Sequence, residues 1–258
     1  MTDILVVDFI LLILIFVRIA SAFFASPIMG HTSIPALVKI FLGLIISYIV
    51  FLSIDKSAIK IEVSLWFLAA NAVKEILSGL LIGFMLHIVF FGISFAGSLI
   101  GFDMGLSMAE AFNPMEETQG NVIGELIYFA TILLFFLIDG HHYLIRGLVY
   151  SFSVIPIGKF TVTVPVYQLL IKYSGLVFII AIKIASPILV SFFLISIAEG
   201  IISRIIPQMQ VFFVTQPLRI GIGFLFLTTL IPIYVYAIKG LLKGFEDNLF
   251  TLIKAMGS

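Results

Sequence analysis

Two groups of residues in this 258-residue sequence have side chains that could do chemistry. Asp139, His141 and His142 lie together in the stretch DGHHYL and offer a carboxylate and two imidazoles to a metal ion. Ser94 and Ser107 lie among glycines, as the serine of an intramembrane protease does. A serine nucleophile needs a base positioned to take its proton, and a metal site needs a full set of ligands.

Neither group is specific for an enzyme. Neighbouring histidines on a helix point in different directions, and no further ligand cluster accompanies Asp139, so we interpret DGHHYL as a polar turn between two helices. No motif ties a histidine to Ser94 or Ser107, and no phosphate-cradling glycine loop occurs. We therefore expect no enzymatic activity, no cofactor and no metal. The lack of cysteine excludes disulfides and thiolate metal sites.

The composition is that of a membrane protein. The chain is 62% hydrophobic and 11% charged, with a mean hydropathy of +1.26, whereas soluble domains are about 45–50% apolar and about 25% charged. Its 14 basic and 14 acidic residues cancel, which argues against nucleic-acid binding. The N-terminal apolar run begins with acidic residues and is interrupted by Arg18, so we expect a retained membrane helix rather than a signal peptide.

Several apolar segments do not fit simple membrane spans of about 20 residues. Val63–Phe102 is about twice as long as needed, Tyr143–Ile155 is too short, and Val166–Gly200 contains Pro187, which would kink or break a helix. We therefore predict an all-α integral membrane protein of six to eight helical pieces, several of them broken or hairpinned. The apolar segments are Ile4–Ala25, Ala36–Ile54, Val63–Phe102, Asn121–Ile138, Tyr143–Ile155, Val166–Gly200 and Pro217–Ile238.

Glycines recur with a spacing that favours close helix packing. A spacing of four puts small residues on one helix face, where another backbone can approach. We expect this packing either within the chain or against a partner. The glycines concerned are Gly79 and Gly83, followed by Gly97, Gly101 and Gly105.

Charged residues inside the apolar pieces form a second pattern. Lys172 and Lys183 are three helical turns apart and share a face, and Glu125 and Asp139 share a face to within about 40° if their helix is continuous. Charges are costly in lipid and usually point at a partner or a water-filled path. We hypothesise that the two faces meet, or that each meets a charged partner subunit. The alternative is that the lysines reach the membrane surface.

The segment DMGLSMAEAFNPMEETQG, residues 103–120, differs from its apolar surroundings. It has four acidic residues, three methionines and no basic residue. Asn113 followed by Pro114 predicts a turn that ends any preceding helix. The methionines either fill gaps in a core or form a deformable surface, and composition alone leaves both interpretations open.

Four blocks of the chain, in order, resemble the flagellar biosynthesis protein FliR family of type III secretion export-gate subunits. The resemblance runs from Arg18 to about Lys243 and includes GFDMGLSMA and DGHHYLIRGLVYSFSVIP. In the block RIIPQMQVFFVTQPLRIGIG, Gln210 stands where the family has asparagine. The residues that fit the first and last blocks are Arg18, Phe24, Pro27, Gly30, Pro35, Arg204, Pro207, Gln208, Met209, Val211, Phe212, Pro217, Leu218 and Arg219.

The resemblance implies a partner set and a location. One R subunit would join several P and Q subunits, contact the B and A export components and membrane lipid, and surround a pore for unfolded secreted proteins. The complex would lie in the bacterial inner membrane at the flagellar basal body. Residues 1–165 would form a P-like part, and residues 166–258 a Q-like helical hairpin with a C-terminal tail. The alternatives are an ion-coupled secondary transporter with discontinuous helices and an intramembrane hydrolase.

The resemblance also implies roles for two stretches. The loop at about 105–120 would plug the pore, with glycine hinges and an apolar seal; its residues are Gly105, Leu106, Met108, Phe112, Asn113, Pro114, Met115 and Gly120. The second stretch would form a tight turn for assembly with neighbouring subunits; its residues are Arg204, Pro207, Gln208, Met209, Phe212, Pro217 and Arg219.

Overall fold

The structure is a computed structural model that describes residues 2–54, 64–106, 121–208 and 210–257. The described residues form seven helices and no strand. The helices are α1 (Thr2–Ala25), α2 (Ala36–Ser53), α3 (Leu65–Asp103), α4 (Val122–Leu137), α5 (Gly140–Val154), α6 (Val164–Ile205) and α7 (Val211–Met256). Five are long and apolar enough to cross a membrane, and α4 with α5 forms a sixth, broken candidate. The chain is thus an all-α integral membrane protein, as predicted.

Three helices are each about twice as long as one membrane span. Helices α3, α6 and α7 have 39, 42 and 46 residues, so each is about twice as long as the ~30 Å hydrocarbon core at ~1.5 Å per residue. The expectation that Pro187 breaks its segment is wrong, because α6 continues through it. Pro217 and Pro232 likewise lie inside α7. Helices in a membrane tolerate proline because neighbouring groups satisfy the freed backbone.

The helices cluster into two compact units, and α3, α6 and α7 contribute residues to both. Unit 1 comprises residues 1–88, 139–174 and 242–258, and unit 2 comprises residues 89–138 and 175–241. Each unit thus draws on both sides of residue 165. The predicted division at residue 165 is between a part that resembles the P subunit and a part that resembles the Q subunit. It stays a prediction.

Unit 1 is built around a buried ion pair between α1 and α3. Arg18 Nε donates to Glu75 Oε2 at 2.5 Å, and neither side chain is exposed. The remaining guanidinium nitrogens donate to the Ser151 and Ile155 carbonyls at 3.1–3.2 Å, while Glu75 Oε1 accepts from Gly158 N at 2.8 Å. The pair therefore joins α1 and α3 to α5 and to the turn that follows it. The buried apolar residues of unit 1 include Leu14, Ile15, Ile19, Ile82, Leu86, Leu148 and Phe245.

The glycine spacing does mark faces of close packing within the chain. In unit 1, a side chain at Gly79 would overlap the Arg18 carbonyl, so α1 and α3 approach closely there. In unit 2, a methyl group added at Gly97 would lie 2.7 Å from Gly124 Cα, so α3 and α4 pack backbone to backbone. The prediction of close helix packing is confirmed at these positions.

Candidate functional site

The candidate site lies in unit 2, at the two ends of residues 107–120. Helix α3 ends at Asp103 in a Schellman motif: Leu106 N donates to Gly101 O at 3.0 Å and Gly105 N to Phe102 O at 2.9 Å. Gly105 has φ +79°, in the left-handed region that favours glycine. A sequence-predicted hinge residue thus occupies the position where the helix stops and the chain turns away.

Two side chains of α7 bind the last carbonyls of α3. Gln216 Nε2 donates to the Gly105 carbonyl at 3.0 Å and to the Met104 carbonyl at 3.3 Å. Arg219 Nη1 donates to the Asp103 carbonyl at 3.3 Å. The last carbonyls of a helix have no partner within the helix, and a cation there also interacts favourably with the helix dipole. The end of α3 is therefore fixed to one face of α7.

Arg219 is in turn held by α6. Its Nε donates to Glu199 Oε1 at 2.8 Å and its Nη2 to Glu199 Oε2, which makes the pair bidentate. Nη2 also donates to Ser196 Oγ at 2.8 Å. Both charged side chains are 15% exposed. Arg219 thereby connects α6, α7 and the end of α3, and this connection is partly exposed.

Asn121 fixes the other end of the segment. Its Oδ1 accepts from Ile123 N at 3.0 Å and from Gly124 N at 3.3 Å, so it caps α4. Its Nδ2 donates to the Ser98 carbonyl of α3 at 3.4 Å. A methyl group added at Gly101 would lie 2.6 Å from Asn121 Cγ. Gly101 therefore allows the start of α4 to lie against the last turns of α3.

Residues 107–120 consequently leave and re-enter the helices at neighbouring, fixed points. The predicted plug residues Gly105 and Leu106 belong to the described base of this loop. The other predicted plug residues lie outside the described residues; they are Met108, Phe112, Asn113, Pro114, Met115 and Gly120.

The predicted turn motif divides into two parts. The turn itself is short: α6 ends at Ile205, residues 206–210 follow, and α7 begins at Val211. Arg204, Pro207 and Gln208 are exposed around it, while Met209 and the side chain of Phe212 lie outside the described part. The expectation that Pro217 belongs to the turn is wrong, because α7 has already begun. Arg219 likewise lies on α7, at the base of the loop.

One of the two predicted charged faces forms: Lys172 and Lys183 lie three turns apart on the continuous helix α6. Helix α4 ends at Leu137 and α5 begins at Gly140, so Glu125 and Asp139 do not share one continuous helix. Glu125, Lys172 and Lys183 are exposed, and within the described ranges none of them forms an ion pair. A role in contacting partner subunits or the membrane surface stays a prediction.

Of the groups that could do chemistry, Ser107 lies outside the described residues, and Ser94, Asp139, His141 and His142 occupy packing and turn positions. Asp139 has φ 58° between the two helices, and its Oδ1 lies 3.6 Å from His142 Nδ1. The His141 and His142 rings lie 4.1 Å apart, closer than their adjacency in a helix suggested, and the three side chains bring possible ligand atoms within 4.8 Å of one another. Ser94 Oγ donates to the Gly124 carbonyl at 3.5 Å, a contact between α3 and α4.

Sequence reasoning missed both arginine–glutamate pairs. Arg18 and Glu75 are 57 residues apart, and Glu199 and Arg219 are 20 residues apart. The sequence does contain one indication of these pairs. All four charges lie within apolar helices, where charged residues usually have partners. The sequence does not show which of them pair, nor that Gln216 binds the end of α3.

Comparison with known proteins places the chain in a family. A model of the family described as "Bacterial export proteins, family 1" matches residues 9–245. The chain is 30% identical to the flagellar biosynthetic protein FliR of Bacillus subtilis (strain 168), over 95% of each chain. It is 31% identical to the protein of that name from Pectobacterium carotovorum subsp. carotovorum and 29% identical to that from Escherichia coli (strain K12), over 92% of this chain and 87% of each relative. The chain therefore belongs to the bacterial export proteins of family 1, the family of the flagellar biosynthetic protein FliR.

Proposed function

We propose that this chain is a structural, non-enzymatic subunit of the flagellar type III protein export apparatus and forms part of its channel for unfolded proteins. Membership of an export-protein family and relatives named for flagellar biosynthesis support this assignment. The apolar helices support a location in a membrane, which we propose is the bacterial inner membrane at the flagellar basal body. Its partners would be the P and Q subunits, together with the B and A components.

We propose further that residues 107–120 plug this channel. The observation that supports this proposal is the structure at the two ends of the segment, where Gln216 and Arg219 bind the end of α3, and Asn121 caps α4 and binds α3. Both ends are thus fixed to helices by side-chain hydrogen bonds. Its methionines and Phe112 supply deformable apolar surface, and its acidic residues are costly to bury unpaired.

Deletion of Leu106–Gln119 tests the plug. We expect the variant to assemble with co-expressed P and Q subunits, as shown by native mass spectrometry, and to leak ions when the complex is reconstituted in liposomes. A second variant that keeps the loop length but replaces Met108, Phe112 and Met115 with serine separates the apolar seal from the length of the loop. We expect it to leak as well.

The possible results separate the two proposals. A complex that contains this chain together with P and Q subunits but stays tight after the deletion would count against the plug and leave the subunit assignment intact. A chain that is stable alone and never joins P and Q subunits would count against the export assignment. In that case the ion-coupled transporter becomes the leading alternative.

A further inference from the structure

Unit 1 contains a cavity of about 710 Å³ that the proposed function does not use. It lies between the last turn of α2, the outer side of α5 and the turn after α5. Val50, Ile54, Val149 and Ile157 supply much of its apolar lining, and Arg146 and Lys159 bring two positive charges to it. Its size falls within the roughly 300–1,000 Å³ of typical ligand pockets.

The two cations at this cavity differ from the arginines described above. Arg146 and Lys159 are both exposed, and neither forms an ion pair with a carboxylate in the part of the chain that the structure describes. No acidic residue lines the cavity within that part. Two cations that have no carboxylate partner among the described residues, beside an apolar wall, are complementary to a ligand that is anionic at one end and apolar at the other.

The cavity lies at one end of a helix that is long and apolar enough to cross a membrane. Helix α2 has 18 residues from Ala36 to Ser53, which at ~1.5 Å per residue gives ~27 Å, close to the thickness of the hydrocarbon core. Val50, Ser53 and Ile54 line the cavity at the end of this span. Helix α2 also carries exposed apolar side chains within two turns of the cavity, namely Ile45, Ile49 and Leu52.

From these observations we infer that the cavity binds an anionic phospholipid. The phosphate lies between Arg146 and Lys159, and an acyl chain follows Val149 and Val50 onto the exposed face of α2. Basic pockets between membrane helices bind anionic headgroups in this way. An acidic protein segment would satisfy the charges but would leave the apolar wall without a matching surface, so we assign the site to lipid. This inference does not depend on the proposed function.

Native mass spectrometry of the full-length, delipidated chain with added phosphatidylglycerol or phosphatidylcholine tests the inference. We expect phosphatidylglycerol to bind in preference to phosphatidylcholine. The double variant Arg146→Gln with Lys159→Gln should weaken phosphatidylglycerol binding about tenfold, the equivalent of one charge-assisted hydrogen bond. Arg146→Lys, which keeps the charge, should retain binding. The matched control is Lys172→Gln with Lys183→Gln, which removes two exposed helix cations that do not line the cavity.

Several results would overturn the inference. Equal binding of the two lipids by the wild-type chain would do so without any variant, as would displacement of phosphatidylglycerol by millimolar inorganic phosphate. Unchanged lipid binding in the Arg146 and Lys159 double variant would place the lipid elsewhere. In the assembled complex, crosslinks from position 149 to a partner protein, with no lipid retained, would assign the cavity to a protein contact.

Discussion

Each unit contains an arginine–glutamate pair, and the two pairs differ in exposure and in what they connect. In unit 1 the Arg18–Glu75 pair is 0% exposed and lies within a complete set of hydrogen bonds to α5 and the turn after it. In unit 2 the Arg219–Glu199 pair is 15% exposed and reaches the end of α3, where residues 107–120 begin. The Arg18–Glu75 pair lies inside a packed core, and the Arg219–Glu199 pair lies beside the end of α3, just before residues 107–120.

The difference in exposure indicates which ion pair can separate at the lower cost in free energy. The separation of Arg18 from Glu75 would leave two charges without partners in an apolar interior, which is strongly destabilising. Arg219 and Glu199 are partly exposed, so their separation buries less uncompensated charge. We therefore expect the partly exposed pair to separate at a lower cost in free energy than the buried pair.

The largest expected effect comes from removal of the buried negative charge. Glu75→Gln keeps the size of the side chain but leaves Arg18 buried without a counter-charge. We expect the free energy of unfolding to fall by about 3–5 kcal/mol. Thermal or denaturant unfolding of the full-length chain in detergent measures this loss. Glu125→Gln is the matched control, because Glu125 is exposed and forms no ion pair among the described residues, and we expect its effect to stay within about 0.5 kcal/mol.

A double variant distinguishes the cost of leaving one charge buried without a partner from the contribution of the whole ion pair to stability. Arg18→Leu with Glu75→Leu removes both charges, so we expect it to be less destabilised than either single variant. Equal losses in the single and double variants would mean that the pair's hydrogen bonds to α5, rather than charge balance, stabilise unit 1.

The elements of the fold could be predicted from the sequence because they depend on local properties. Apolar runs indicated the helices, and the four-residue glycine spacing indicated the faces where α3 packs closely on α1 and α4. Hydropathy could not show that α3, α6 and α7 are each one continuous helix. The reason is that one continuous helix and two shorter ones joined by a turn have similar apolar content, and Pro187 suggested a break where α6 in fact continues.

The base of the loop could be predicted only in part. Gly105 was predicted as a hinge because glycine adopts backbone conformations that other residues avoid, and its φ of +79° agrees with that reason. The regular spacing of Lys172 and Lys183 predicts a charged helix face that meets a partner. Both lysines are exposed, and neither forms an ion pair within the described residues. The charges that do pair come from distant parts of the chain, and their partners are set by how the helices pack. Sequence spacing along a single helix carries no such information.

Breaking the Arg219–Glu199 pair should reduce stability less than breaking the Arg18–Glu75 pair, and should increase ion leakage more. Arg219→Gln removes the bidentate contact with Glu199 and the bond to the Asp103 carbonyl. We expect the free energy of unfolding to fall by about 1.5–3 kcal/mol, as for hydrogen bonds to charged groups. We also expect greater ion leakage through the reconstituted complex. Lys183→Gln is the control for loss of one positive charge on a membrane helix. Normal tightness of a fully assembled Arg219→Gln complex would argue that this pair does not restrain the loop.

The smallest expected effect comes from Gln216, three residues before Arg219 on α7. Gln216→Leu removes two neutral hydrogen bonds to the Met104 and Gly105 carbonyls but leaves the ion pair intact. We expect a loss of about 1 kcal/mol in the free energy of unfolding and leakage below that of Arg219→Gln, measured in the same liposomes. If Gln216→Leu leaks more than Arg219→Gln, the amide rather than the ion pair restrains the loop. The difference in exposure between the two arginine–glutamate pairs would then reflect packing alone and would no longer distinguish a fixed contact from a releasable one.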